Sequence, residues 1–174
     1  KQHIDARRSP RSAFGIRFNL AVNLAHLNRY AEAAELLHEV REMAVQLRNE
    51  LDLFRVRWLE GRIASGQGRI TEAVEALSQV RKGFLARGLG YDAALASLEL
   101  AVLYLEKDRT GEVKTLAREM ASIFQAQGVH REALAALRLF CEAAEREAVT
   151  LEMARRLVHY LERAQRDPDL RFES

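Results

Sequence analysis

Apolar positions recur along the chain at intervals of three and four residues, the spacing that marks one face of an α-helix. Leu20, Leu24 and Leu27 show it early, and Ala73 and Leu77 show it later. Short runs of glycine or polar residues interrupt the pattern at regular distances. We expect eight helices, over residues 13–27, 31–47, 53–65, 71–87, 92–106, 111–127, 131–145 and 150–165.

A second, longer period lies over the helical one. Arg29, Arg69 and Arg109 are each 40 residues apart. Acidic residues keep the same interval at Glu32, Glu72, Glu112 and Glu152, and small residues keep it at Ala21, Gly61, Ala101 and Cys141. A fixed period shared by several columns is the signature of a repeat protein. The pattern predicts four helix hairpins, at about 13–52, 53–91, 92–130 and 131–165.

The flanks of this array differ from it. Residues 1–12 read as a basic lead-in or as the last turn of a preceding helix, and residues 166–174 as a C-terminal tail. The chain starts at Lys1 without a leader-like segment, so we expect a fragment or a processed form of a longer protein.

Composition narrows the class of protein. Of 174 residues, 48% are hydrophobic and 30% charged, with two prolines and nine glycines. Such a chain folds, favours helix, and has no apolar run that spans a bilayer. With 27 basic and 25 acidic residues the net charge is only +2, which does not indicate a nucleic-acid-binding protein. We expect a cytoplasmic protein that binds neither membrane nor nucleic acid.

Candidate chemistry is sparse. The five histidines share no metal-ligand spacing, and Cys141 stands in the small-residue column, where a packing role is expected. The glycine-rich stretch 61–69 lacks the Lys-Ser/Thr ending of a phosphate loop and reads as a turn. Each glutamate of the 40-residue column falls in the first turn of a helix, where it complements the helix dipole. We therefore expect no enzyme activity, no catalytic residue, no cofactor and no metal.

The columns resemble the tetratricopeptide repeat family. Its pattern of a bulky, a small and an aromatic or large residue on the first helix, with alanine on the second, is matched by Leu20, Ala21, Leu24 and Ala33. Copy three offers Leu100, Ala101, Tyr104 and Val113, while Glu60 breaks the pattern in copy two and copy four is the weakest match. The family's usual repeat is about 34 residues long, so these would be extended repeats. The resemblance implies an all-α fold, a right-handed α-solenoid of four antiparallel hairpins.

In that family the first helices line a concave face that takes ligands. If the family's ligand-facing positions are transferred to this chain, the resemblance implies an apolar groove with charged residues along its edge and His26 beside it. Its residues are Phe18, Val22, Arg55, Trp58, Arg62, Leu95, Leu98, Val102, Leu105, Arg138 and Glu142. Three alternatives stay open: the groove accepts an amphipathic helix or extended segment with acidic flanks, it closes on a second copy as a homodimer, or neighbouring helices bury it.

The resemblance implies a non-catalytic protein- or peptide-binding scaffold. The closing stretch 160–172 is similar to the C-terminus of bacterial regulators that carry such repeats, which would make the chain their sensor or interaction part. The alternative is a self-associating module without a separate ligand.

Overall fold

The computed structural model describes residues 9–126, 131–146, 148–167 and 170–172, and in these ranges the regular structure is entirely helical. The eight helices are α1 (Pro10–His26), α2 (Tyr30–Leu47), α3 (Glu50–Gly66), α4 (Ile70–Ala86), α5 (Gly90–Leu105), α6 (Thr110–Ala126), α7 (Arg131–Glu145) and α8 (Leu151–Ala164). The prediction of an all-α chain is confirmed, and every predicted helix is present with ends within about three residues.

The helix ends follow local chemistry. Pro10 occupies the first turn of α1, where its missing N–H costs nothing. The Thr150 hydroxyl oxygen accepts a 3.1 Å hydrogen bond from the Met153 N–H and so caps α8. Thr71 lies inside α4, which begins at Ile70, so it does not cap that helix. Residues 1–8 of the lead-in, the junction at 127–130 and Pro168 of the C-terminal tail lie outside the described residues.

The 40-residue period reappears in the backbone. Asn28, Gly68 and Asp108 have φ angles of 58°, 75° and 54°, and each directly precedes an arginine of the repeated column. A left-handed residue at a helix end lets the following N–H bond back to the last turn, and asparagine, glycine and aspartate tolerate that conformation best. Arg48 and Gly88, also 40 residues apart, form a second such pair, with φ of 50° and 68°.

The repeated arginines and glutamates form ion pairs with each other. Arg29 donates from Nε to Glu32 at 2.6 Å, Arg109 donates from Nε to Glu112 at 2.8 Å, and Arg69 bonds Glu72. The hydrogen bond from arginine lowers the pKa of Glu32 and of Glu112. The side chains of the arginine column therefore contact the first turn of the next helix, and their backbone N–H groups donate to carbonyls in the last turn of the preceding helix.

The chain divides into two compact units, residues 1–76 and 77–174, with the boundary inside α4. In unit 1, α1 packs against α2 and α3, and α2 packs against α3. Gly66, at the end of α3, lies under the Tyr30 ring, so closely that a Cβ there would overlap it. The core of this unit is apolar and is built from Phe14, Ala21, Leu24, Ala25, Ala33, Leu37, Val40, Ala44, Val56, Leu59 and Ile63.

Unit 2 centres on α5. This helix is buried on nearly every side, including Leu95, Leu98 and the small Ser97. It packs against α6 and α8, while α7 packs against α6 and α8. These four helices close into a ring, as in a four-helix bundle. The repeat pattern does not predict the contact between α5 and α8, because the two helices belong to different hairpins.

None of the described helices is both long and apolar enough to cross a bilayer.

Candidate functional site

The α1–α3 face, defined here by Phe18, Val22 and His26 of α1 and Arg55, Trp58 and Arg62 of α3, collects the predicted groove residues of unit 1. The two helices pack side by side. Phe18 and Val22 are half-buried and rest on the core of unit 1. Phe18 and Trp58 are 40 residues apart, as are Val22 and Arg62, so equivalent positions of two repeats lie on neighbouring helices.

Direct contacts join the two helices across this face. The Arg62 guanidinium lies over the Trp58 ring, 4.9 Å from its centroid, and its Nη1 is 3.3 Å from His26 Nε2. A guanidinium over an indole is held by the ring's negative face. The Phe18 ring stacks on Phe14, 5.7 Å between centroids. Phe18 and Trp58 are thus held by their neighbours, while the Trp58 side chain stays partly exposed.

Arg55 supplies an exposed positive charge at the end of this face. Its Nη1 is 3.6 Å from Asp52 Oδ1, beyond a hydrogen bond, and its side chain is 47% exposed. Asp52 itself is buried and accepts from Arg11 on α1, an ion pair that ties the start of α1 to the start of α3. Sequence reasoning missed this carboxylate, because an acidic residue in a helix's first turn normally faces solvent.

The predicted groove residues in unit 2 are placed differently. Leu95 and Leu98 are buried inside the unit, so they do not line an open groove. This is the burial alternative, and its cause is the contact of α8 with α5. Val102 and Leu105 are half-buried, and Arg138 and Glu142 are exposed on α7.

A separate cleft of about 330 Å³ lies among α2, α3 and the start of α4. Its guanidiniums are matched by carboxylates: Arg41 and Arg57 both bond Glu60, and Arg69 bonds Glu72. Since Glu60 is clamped by two arginines, the polar lining is largely self-neutralised. The cleft offers less for a ligand to recognise than the aromatic α1–α3 face.

The remaining chemistry-bearing groups are held in packing roles. The half-buried Cys141 thiol donates to the Ala117 carbonyl at 3.2 Å. Burial, with Glu145 and Glu142 nearby, raises its pKa to about 11, so little thiolate exists at neutral pH. Among the described residues, no three histidine, cysteine or acidic side chains come together as a metal site would require.

Comparison with known proteins gives no match to a family model, a curated protein or a solved structure.

Proposed function

We propose that the chain is a non-catalytic protein-binding module whose α1–α3 face takes a short peptide or amphipathic helix with acidic residues beside apolar ones. The observation that carries the proposal is that Phe18 and Trp58 stand at equivalent repeat positions on two helices that pack together, with the Arg62 guanidinium over the Trp58 ring. Aromatic and arginine side chains dominate the energetics of protein interfaces.

The preferred ligand follows from the chemistry of the face. Half-buried aromatic rings supply large apolar area at low entropic cost, and Phe18 and Trp58 are already held in place by their neighbours. The exposed guanidinium of Arg55 matches a carboxylate, for which arginine offers a planar set of donors. An apolar side chain followed by an aspartate or glutamate would satisfy both features.

The architecture proposed with this function is a right-handed solenoid of four antiparallel hairpins. Its support is the 40-residue recurrence of the left-handed residues and of the Arg–Glu pairs. The recurrence covers the first three hairpins, and a repeated cap conformation at a fixed spacing is what stacked copies of one unit require.

The test uses peptides selected against the intact chain from a displayed library of random short sequences. We expect the selected peptides to carry aspartate or glutamate next to leucine, phenylalanine or methionine. Trp58 is the only tryptophan, so its fluorescence reports binding without a label. Binding at the α1–α3 face should shift its emission to shorter wavelength in a saturable way.

The matched variants are Arg55→Gln and Lys82→Gln, which each remove one exposed positive charge. Loss of one charge-assisted contact should weaken the peptide about tenfold in Arg55→Gln, or ~1.4 kcal/mol, and leave Lys82→Gln unchanged. Equal affinities in both variants, or selected peptides without acidic residues, would contradict the proposal.

A further inference from the structure

The carboxylate of Asp52 lies between two guanidinium groups at the end of the α1–α3 face. Arg11 of α1 donates to its Oδ2, while Arg55 of α3 comes within 3.6 Å of its Oδ1 without a hydrogen bond. The Asp52 side chain is 1% exposed, and those of Arg11 and Arg55 are 55% and 47% exposed. One buried negative charge is therefore flanked by two half-exposed positive charges.

The carboxylate of Asp52 is not needed to cap its own helix. Asn49 Oδ1 accepts hydrogen bonds from the backbone N–H groups of Leu51 and Asp52, at 3.0 and 3.2 Å, and so caps α3. The enclosed Oδ1 of Asp52 accepts no hydrogen bond from any part of the chain that the structure describes. A buried carboxylate oxygen without a donor is unfavourable, so it attracts a donor that can approach it, and Arg55 is placed to do so.

The repeat pattern does not account for the charge of Arg55. The positions that stand at 40-residue intervals from it carry small or apolar residues, namely Gly15, Leu95 and Ala135. A helix hairpin of this array therefore forms without an arginine there. The guanidinium is a feature of the second copy, as we expect of a recognition residue rather than of a packing residue.

We propose that Asp52 is a positioning residue of the α1–α3 face, whose charge sets how strongly Arg55 binds the carboxylate of an acidic ligand. This inference rests on the function proposed above. Because Arg11 already neutralises Asp52, Arg55 stays outside hydrogen-bonding distance and keeps its donors for the ligand. Asp52 and the ligand's carboxylate thus compete for one guanidinium, and Arg11 favours the ligand.

Changing Asp52 and changing Arg11 should alter the affinity for an acidic peptide in opposite directions. Asp52→Asn keeps the shape and removes the competing charge, so the peptide should bind about fivefold tighter. Arg11→Gln leaves the charge of Asp52 uncompensated and draws Arg55 onto it, so the peptide should bind about fivefold weaker. A merely structural ion pair predicts the same sign for both variants, since each breaks the same contact.

Titration followed by Trp58 fluorescence measures these affinities with an acidic peptide selected against the intact chain. The second probe is the same peptide with asparagine or glutamine in place of its acidic residues. Its affinity should be equal in wild type, Asp52→Asn and Arg11→Gln, because it has no carboxylate for the guanidinium. The effects on the acidic peptide should shrink as the salt concentration rises.

Arg17→Gln is the matched control, because Arg17 is another arginine of α1 but pairs with Glu39, at 2.6 Å. It should leave both peptides unchanged. Helical circular dichroism verifies that each variant folds. If Asp52→Asn does not fold, Arg11→Gln carries the test, since the Arg11 side chain is half exposed.

The inference would be overturned by a folded Asp52→Asn variant that binds the acidic peptide no tighter than wild type, or by an Arg11→Gln variant that binds it as tightly. Equal changes for the acidic and the neutral peptide would overturn it as well. Failure of the proposed function gives a different result, because Arg55→Gln would then leave the affinity for the acidic peptide unchanged too.

Discussion

The Tyr91 hydroxyl donates a 2.7 Å hydrogen bond to the backbone carbonyl of Leu161, 70 residues further along the chain. Tyr91 lies in the first turn of α5 and Leu161 lies near the end of α8. At the other end of the same pair of helices, Arg155 of α8 bonds Glu106 at 2.6 Å. These two contacts fasten α8 antiparallel across α5 and close the ring of unit 2.

Removing that hydroxyl should loosen the ring. Tyr91→Phe is expected to lower the free energy of unfolding by about 1 kcal/mol, the usual net value of one part-buried hydrogen bond. Chemical denaturation followed by circular dichroism measures it. Tyr104→Phe is the control, because Tyr104 is a half-buried tyrosine of the same helix. An equal loss in both variants would show that the bond to Leu161 adds nothing.

Tyr91 should also make the free energy of unfolding depend on pH in the alkaline range. Burial raises the pKa of Tyr91 well above its ordinary value near 10. A group whose pKa is higher in the folded than in the unfolded state contributes its full stabilisation at pH values below the unfolded-state pKa. This contribution is lost as the pH rises from there through the folded-state pKa. Wild type should therefore lose stability above about pH 10 more steeply than Tyr91→Phe. Parallel pH profiles for the two proteins would contradict this.

Substitutions at the buried residues of the predicted groove should change the stability of the fold rather than peptide binding. Leu98 is fully buried, so Leu98→Ala should cost about 2–5 kcal/mol of unfolding free energy through the cavity it leaves. Leu105→Ala, at a half-buried position of the same helix, should cost clearly less. Thermal or urea unfolding compares the two. A stable Leu98→Ala variant that had lost peptide binding would restore Leu98 to the groove.

The helices were predictable because their signals are local. The left-handed positions show this well: Asn28, Gly68 and Asp108 are all residue types that favour that conformation, so the ends of α1, α3 and α5 could be predicted from the sequence. The site was predictable only in part. Phe18 and Trp58 lie on neighbouring helices as the 40-residue register implies. The burial of Leu98 follows from the contact between α5 and α8, which joins residues far apart and leaves no periodic trace.

Substitutions at two of the repeated left-handed positions should change the free energy of unfolding in opposite directions. Gly68→Ala should destabilise by about 1 kcal/mol, because a Cβ strains a φ of 75° although no atom lies near it. Asp108→Gly should stabilise by a few tenths of a kcal/mol or more for the converse reason. Unfolding midpoints measure both. Ser65→Ala, in the last turn before Gly68, is the control, and a loss there as large as in Gly68→Ala would argue against backbone strain as the cause.

The thiol of Cys141 should be slow to react. Its pKa near 11 predicts little modification by a thiolate-selective reagent at pH 8 and a steep rise in rate towards pH 11 in the folded chain. The same chain in denaturant should react at the rate of an ordinary cysteine, with a pKa near 8.5. Fast modification of the folded chain at pH 8 would rule out the packing role and reopen a chemical one.

Peptide binding at the α1–α3 face is tested most directly by mapping a selected acidic peptide onto the isotope-labelled chain by NMR. We expect the largest shift changes at the Trp58 indole N–H and at the amides of Phe18, Val22 and Arg55. The residues of α7 and α8 should change little. Shift changes that leave Trp58 untouched and concentrate elsewhere, or no saturable change with any selected peptide, would contradict the account.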